Sequence, residues 1–274
     1  MSTKPSTAPL HWSVFSQVYL IDGNIIRKYP AEGSYPECPT IAIRNEKVAY
    51  EQIGNHPRIA RWIPCEDDEY IDLVFYPNGN LLEYLHLHQD EIPRDLVVRW
   101  GQQIIEAVAV IHPREIIHSD LNLKQILVDD ELNARLSDFN ASSCLGQVAL
   151  GYEKATHFLP RDPSGPNTVQ TDLFALGSTL YELVYLKSPH SELYPQPPTV
   201  NDREALRAWW ALQEQAEKKI EELFSQNIFP DVSGSFCGNT IRGCWEGRFT
   251  SAEEVLSSYT SETSLSTAEE KHRA

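Results

Sequence analysis

Hydrophobic residues change their spacing along this chain, and the change divides it in two. From Val14 to Tyr29 the run VFSQVYLIDGNIIRKY carries β-branched and aromatic residues on either side of Asp22-Gly23-Asn24, which predicts two strands joined as a hairpin. After a loop rich in proline and glycine, TIAIRNEKVAYEQIG places Ile41, Val48 and Ile53 on one helical stripe that opens at Thr40 and stops at Gly54. RIARWIP and YIDLVFY predict two more strands. The chain up to residue 76 is therefore expected to form a small, mostly antiparallel sheet with one helix.

A break at PNGN, Pro77 to Asn80, ends this region, and the spacing then turns helical. Between Asp95 and Ile111 the residues Leu96, Trp100, Ile104, Val108 and Ile111 recur at three and four, the pattern of a long buried helix. QTDLFALGSTLYELVY, residues 170–185, is apolar around most of its circumference, so this helix is expected to lie centrally. Asp202 is placed to cap a further helix in which Trp209 or Trp210 joins Leu206, Ile220 and Leu223 on the apolar face. QILVDD and ARLSDF predict two short strands around a turn at Glu131-Leu132-Asn133. The expected class is α+β: a β-rich lobe over residues 12–76, a hinge near Pro77, a helical lobe over 77–258, and a polar, frayed tail over 259–274.

Charge narrows the partners. The chain has 39 acidic against 23 basic residues and a formal charge of -16, which repels a phosphate backbone at long range, so a nucleic-acid partner is not expected. Five scattered cysteines, without a CxxC pair, point to neither a disulfide framework nor a zinc site. Reduced thiols and an intracellular compartment, cytoplasmic or nuclear, are expected. The start MSTKPSTAPLHW lacks an apolar leader and no run approaches the ~20 apolar residues a membrane span needs, so neither secretion nor a membrane partner is expected.

The stretch IIHSDLNLKQILVDD, residues 116–130, sets charged and amide residues inside an apolar frame. Asp120 and Asp138 fall at the mouths of the two short strands. Carboxylates presented there suit a hard cation and a proton transfer. HSDLNLKQ resembles the catalytic loop HRDxxxxN of the eukaryotic protein kinases, SDFN the DFG metal motif, TDLFALG the DxWxxG helix start, and RFTSAEEVL the closing R-x-S/T-x-x-E-x-L helix. IIRKY is similar to the VAIK strand, and RNEKVAYEQIGNHPRI to the helix bearing the lysine's glutamate partner. Their order along the chain is more specific than any one of them, and the fold implied is the two-lobed kinase fold.

The resemblance implies that Lys28 contacts the phosphates of ATP and is held by Glu46, that Asp120 orients or accepts the proton of the acceptor hydroxyl, and that Asp138 binds Mg2+. It also implies a structural His118 and an Asp172 that supports the loop backbone. The chain departs from the family at several places. Gln125 replaces the metal-binding asparagine, one methylene longer, so weaker magnesium binding with partial replacement by Mn2+ is expected. Asn122 replaces the lysine after the catalytic aspartate, and Lys124 is expected to supply that charge. No glycine-rich loop lies between Trp12 and Lys28, where side chains of SVFSQVY would crowd a phosphate. Asn140 replaces the DFG glycine. Ser119 replaces the HRD arginine, so Ser142, Ser143 and Thr156 are not expected to act as phosphorylated on-switches. LPRD stands for APE, leaving Asp162 as the candidate partner of Arg248.

The function implied is an ATP-dependent protein kinase of low activity, directed to serine or threonine. A pseudokinase that binds a partner, and a small-molecule kinase of the aminoglycoside-phosphotransferase type, are the alternatives. TDLFALGSTLYEL and the Arg248 helix favour the protein-kinase large lobe over the latter.

Overall fold

The computed structural model describes residues 8–32, 37–146, 149–162, 164–199 and 202–273. Strands β1 (His11–Trp12), β2 (Ser16–Asp22), β3 (Ile25–Pro30), β4 (Trp62–Ile63) and β5 (Ile71–Val74) form one antiparallel sheet in the order β1-β2-β3-β5-β4. Asp22 pairs with Ile25 across Gly23-Asn24, so the expected hairpin turn is there, one residue tighter at its start. Alternation sorts the residues of β3: Lys28 faces inward, opposite Val18 and Ile71, while Arg27 turns outward to Asp72 and lies over the Tyr70 ring.

Helix α1 (Glu37–Ile53) starts three residues before the expected Thr40, with Pro39 in its first turn where a missing N–H costs nothing. It stops at Gly54, whose φ of 71° is the left-handed conformation that favours glycine. Part of the proline- and glycine-rich loop before α1 lies outside the described residues. Only the second half of RIARWIP becomes strand. Its first half crosses to the other lobe, where the Ala60 N–H donates to the Leu136 carbonyl and the Leu136 N–H to the Arg58 carbonyl.

The large lobe contains α2 (Leu81–His88), α3 (Arg94–Ile111), the hairpin β6 (Ile126–Val128) and β7 (Ala134–Leu136), then α4 (Val169–Tyr185), α5 (Arg203–Ser225), α6 (Gly238–Trp245) and α7 (Ala252–Arg273). Helix α4 opens on a capping box of Thr168 and Thr171, and every residue from Thr171 to Leu183 is buried, as its all-round apolar sequence requires. Asp202 caps α5 through the Glu204 N–H at 2.8 Å. Trp209 is half-buried on that helix and Trp210 is exposed, because only the first shares the stripe of Ile220.

The expected boundary at residue 258 falls inside a helix. Helix α7 runs through it, and Tyr259 is 1 % exposed, its hydroxyl donating to the Val98 carbonyl at 3.1 Å. A Cβ at Gly101 would stand 2.1 Å from that hydroxyl, so the glycine is what lets α7 lie against α3. Polar composition hid this contact, since a single aromatic and a few hydroxyls suffice to dock one face of a helix.

Candidate active site

Glu46 is the first anomaly. Helix α1 buries Ala42, Ile43, Ala49, Tyr50 and Ile53, and Glu46 sits on that same stripe with no exposed surface. A lone buried carboxylate is costly. Lys28, on the inner face of β3, meets it: Nζ lies 2.6 Å from Glu46 Oε2 and 2.6 Å from Asp138 Oδ1. Burial works against the ammonium, but Asp138 and Glu46 together hold its pKa above the ordinary lysine value. Burial pushes the Glu46 carboxyl up, against the pull of Lys28. Asp138 follows β7 with a left-handed φ of 63° and keeps about a third of its side chain exposed, at 32 %. Next to it, buried Phe139 stacks edge-on against Tyr50 of α1, with ring centroids 5.1 Å apart, and lies 5.3 Å from His118. This aromatic contact seats α1 so that Glu46 reaches Lys28.

The loop carrying Asp120 is held from below by α4. Asp172 Oδ2 accepts from the His118 N–H at 2.7 Å and Oδ1 from the Ser119 N–H at 3.0 Å, with His112 Nε2 3.1 Å from Oδ2. Burial opposes that charge, yet His112 and His118 hold the Asp172 carboxyl below the ordinary range. Farther along α4, Thr179 Oγ1 donates to the Leu121 carbonyl at 3.3 Å, and Glu182 Oε2 accepts from the Leu123 N–H at 3.4 Å. One buried helix thus templates the loop from His118 to Leu123, which lets Ser119 hold a φ of 69°.

Both oxygens of Asp120 are engaged by amides. Asn122 Nδ2 donates to Oδ1 at 3.0 Å and to the Asp120 carbonyl at 2.9 Å, while Gln125 Nε2 donates to Oδ2 at 2.5 Å. Burial raises the Asp120 carboxyl, and the neighbouring Asp138 adds to this; His118, Gln125 and Lys154 pull the other way. With its nitrogen on Asp120, the Gln125 amide has its oxygen left as a ligand. Gln125 ends the 3-10 turn Leu123–Gln125, which Asn122 caps through the Lys124 N–H.

Asn122 as a direct partner of Asp120 was not anticipated from the sequence, where it counted only as a missing lysine. Lys124 is exposed and pairs with no described carboxylate. The lysine whose field reaches Asp120 is Lys154, which lies beyond the turn of the segment. Its Nζ is 2.6 Å from Glu182 Oε1 and 3.3 Å from Ser188 Oγ.

One expectation about the segment from Asp138 to Asp162 is corrected. Arg248 does not meet Asp162: it pairs with Glu246 at 3.2 Å and donates to the Asn239 carbonyl at 2.9 Å, while Asp162 binds its own turn through Ser164. Arg161 instead takes the buried Glu153 at 2.9 Å, a carboxylate inside the segment that local charge counting overlooked. Ser142 and Thr156 are buried, at 0 % and 1 % exposed, with Ser142 donating to the His118 carbonyl. Neither hydroxyl can meet another enzyme while the segment is folded.

At the roof of the cleft, the turn between β1 and β2 is closed by its own side chain. Ser13 Oγ accepts from the Phe15 N–H at 3.3 Å and the Ser16 N–H at 3.0 Å, and the Ser13 N–H donates to the Ser16 carbonyl at 2.9 Å. The amides that a glycine-rich turn would offer a phosphate are engaged within the turn.

The family model for the protein kinase domain matches residues 26–258. The chain belongs to the protein kinase family. Its relatives include the receptor tyrosine-protein kinase erbB-4 of Homo sapiens, 25 % identical over 210 residues, covering 63 % of this chain and 15 % of that protein. The carbon catabolite-derepressing protein kinase of Candida tropicalis is 31 % identical over 101 residues, 36 % of this chain and 16 % of the relative. A cell cycle serine/threonine-protein kinase of Saccharomyces cerevisiae is 31 % identical over 146 residues, 49 % and 20 %. The chain spans a fifth or less of the length of these relatives. Within the kinase domain, the β-sheet with α1 is the small lobe, and the helices from α2 onward, with the β6–β7 hairpin, are the large lobe. Among the described residues no helix is long and apolar enough to cross a membrane.

The donor set suits the groups that kinases use. Asp138 and the Gln125 oxygen are hard oxygen ligands, and among the described residues no cluster of three His, Cys, Asp or Glu competes with them. Magnesium commonly takes one or two protein ligands and completes its shell with phosphate and water. Lys28 is a fixed, buried positive charge beside them.

Proposed function

We propose that this kinase domain transfers the terminal phosphoryl group of ATP to a serine or threonine hydroxyl of a protein, at a low rate. The reading is carried by the Lys28 ammonium set 2.6 Å from both Glu46 and Asp138. That arrangement holds a cation for nucleotide phosphates and a carboxylate for a metal on the same spot, with Asp120 on the loop alongside. A magnesium ion held by Asp138 and the Gln125 oxygen would neutralise charge on the phosphates. Asp120, fixed by two amides, would orient the acceptor hydroxyl and receive its proton, a role that its burial-raised basicity favours. Positioning and charge then supply most of the acceleration. Serine or threonine preference is supported by the likeness to the cell cycle serine/threonine-protein kinase of Saccharomyces cerevisiae.

A binding module without turnover is the second reading, favoured by the β1–β2 turn whose amides are engaged by Ser13. The two separate in an assay of ATP hydrolysis and autophosphorylation, with magnesium or manganese, on the wild-type protein, Asp120→Ala and Asp138→Ala. Enzymatic function is expected to give signal only in the first. Equal signal from all three leaves the binding reading.

A further inference from the structure

No lysine or arginine of the catalytic loop is paired with Asp120 among the described residues. Asn122 spends its amide on the Asp120 carboxylate, and Lys124 points into solvent. Beneath the loop, however, Glu182 is 1 % exposed in the last turn of α4 and gathers donors from three directions. Its Oε2 accepts from the Leu123 N–H of the loop and faces His157 Nε2 at 3.4 Å; its Oε1 takes the Ser188 hydroxyl and Lys154 Nζ. Burial pushes His157 down to about 4, so the imidazole is neutral near pH 7. Among the described residues Lys154 is then the one charged donor on this carboxylate. Its side chain is 36 % exposed while Glu182's is 2 %, so the side chain runs from the buried anion to the solvent edge of the cluster.

We propose that Lys154 completes the catalytic loop from outside it, as a positioning residue that holds the Asp120 turn through Glu182 and carries the positive charge the loop lacks. The inference rests on the protein-kinase reading. The loop hangs on α4 through Asp172, Thr179 and Glu182, and only the last of these is in turn held by a cation from the segment that follows Asp138. Positive charge there opposes the build-up of negative charge on phosphoryl and acceptor oxygens during transfer. The same ion pair fixes the segment in place without a phosphate, consistent with the burial of Ser142 and Thr156.

Lys154 could instead serve only to neutralise a buried carboxylate, and a pair of double variants separates the roles. Glu182→Gln keeps an oxygen for the Leu123 N–H and removes the anion. In that background Lys154→Met and Lys154→Arg differ by one charge, with no buried carboxylate left unpaired in either. The expected result is a turnover number at least about tenfold lower for K154M/E182Q than for K154R/E182Q, with the KM for ATP within about twofold and equal melting temperatures. Equal turnover in the two overturns the proposal and leaves the kinase reading standing. Wild-type turnover no greater than that of Asp138→Ala overturns the kinase reading and Lys154's role with it.

Discussion

Replacing Lys28 with methionine tests the centre of the site without assuming turnover. Lys28 is 5 % exposed and Glu46 fully buried, so the substitution leaves a carboxylate in the core whose cation, 2.6 Å away, is gone. Removing one partner of a buried ion pair typically costs about 3–5 kcal/mol. For a domain of this size, with about 2–4 °C of melting temperature per kcal/mol, the fall should be roughly 10 °C near pH 8. Burial already raises Glu46 against the pull of Lys28, and loss of the ammonium raises it further. A carboxyl whose folded pKa exceeds its unfolded value contributes no penalty below the unfolded value, about 4.3, and loses stability as pH climbs through the folded one. The variant should therefore approach the wild type near pH 4.5 and diverge from it toward pH 8. Adding Glu46→Gln should remove most of the pH dependence. Thermal melts of the three proteins across this range are the assay. A deficit that does not change with pH, or none at pH 8, would refute the pairing that the whole site depends on.

Gln125→Asn should raise magnesium-supported phosphoryl transfer about tenfold, equivalent to about 1.4 kcal/mol, because the shorter stem relaxes the metal geometry; manganese should narrow the gap, and equal rates with both ions would count against a metal role. Tyr259→Ala should cost about 3–5 kcal/mol in urea unfolding, since it empties the contact with α3 at Gly101; an unchanged midpoint would return residues from 259 onward to the status of a tail.

The sequence by itself determined the two lobes and the order of the kinase motifs. Period-two runs and the Gly23-Asn24 turn specify the sheet, a period of three and four specifies α1 and α3, and a helix apolar on every side can only be central, as α4 is. Such patterns are local, because each residue's neighbours along the element decide which face it takes. Lys28, Glu46, Asp120 and Asp138 were legible from another source, the order of motifs that resemble the protein kinases, with Asp120 and Asp138 marked as well by their place at the mouths of two short strands.

What only the tertiary structure decided lies in which partner each polar or packing side chain takes, near or far along the chain. Glu153 taking Arg161, Asn122 turning back on Asp120, Tyr259 entering the groove at Gly101 and Lys154 reaching Glu182 are set by packing geometry, not by spacing. A side chain's donor can satisfy any acceptor the fold brings within about 3 Å, and the chain's order does not say which. Asn122 was the clearest case. As a letter in a motif it is a lost lysine; in the folded loop it is a clamp on the carboxylate, because a short amide two residues on reaches back to it.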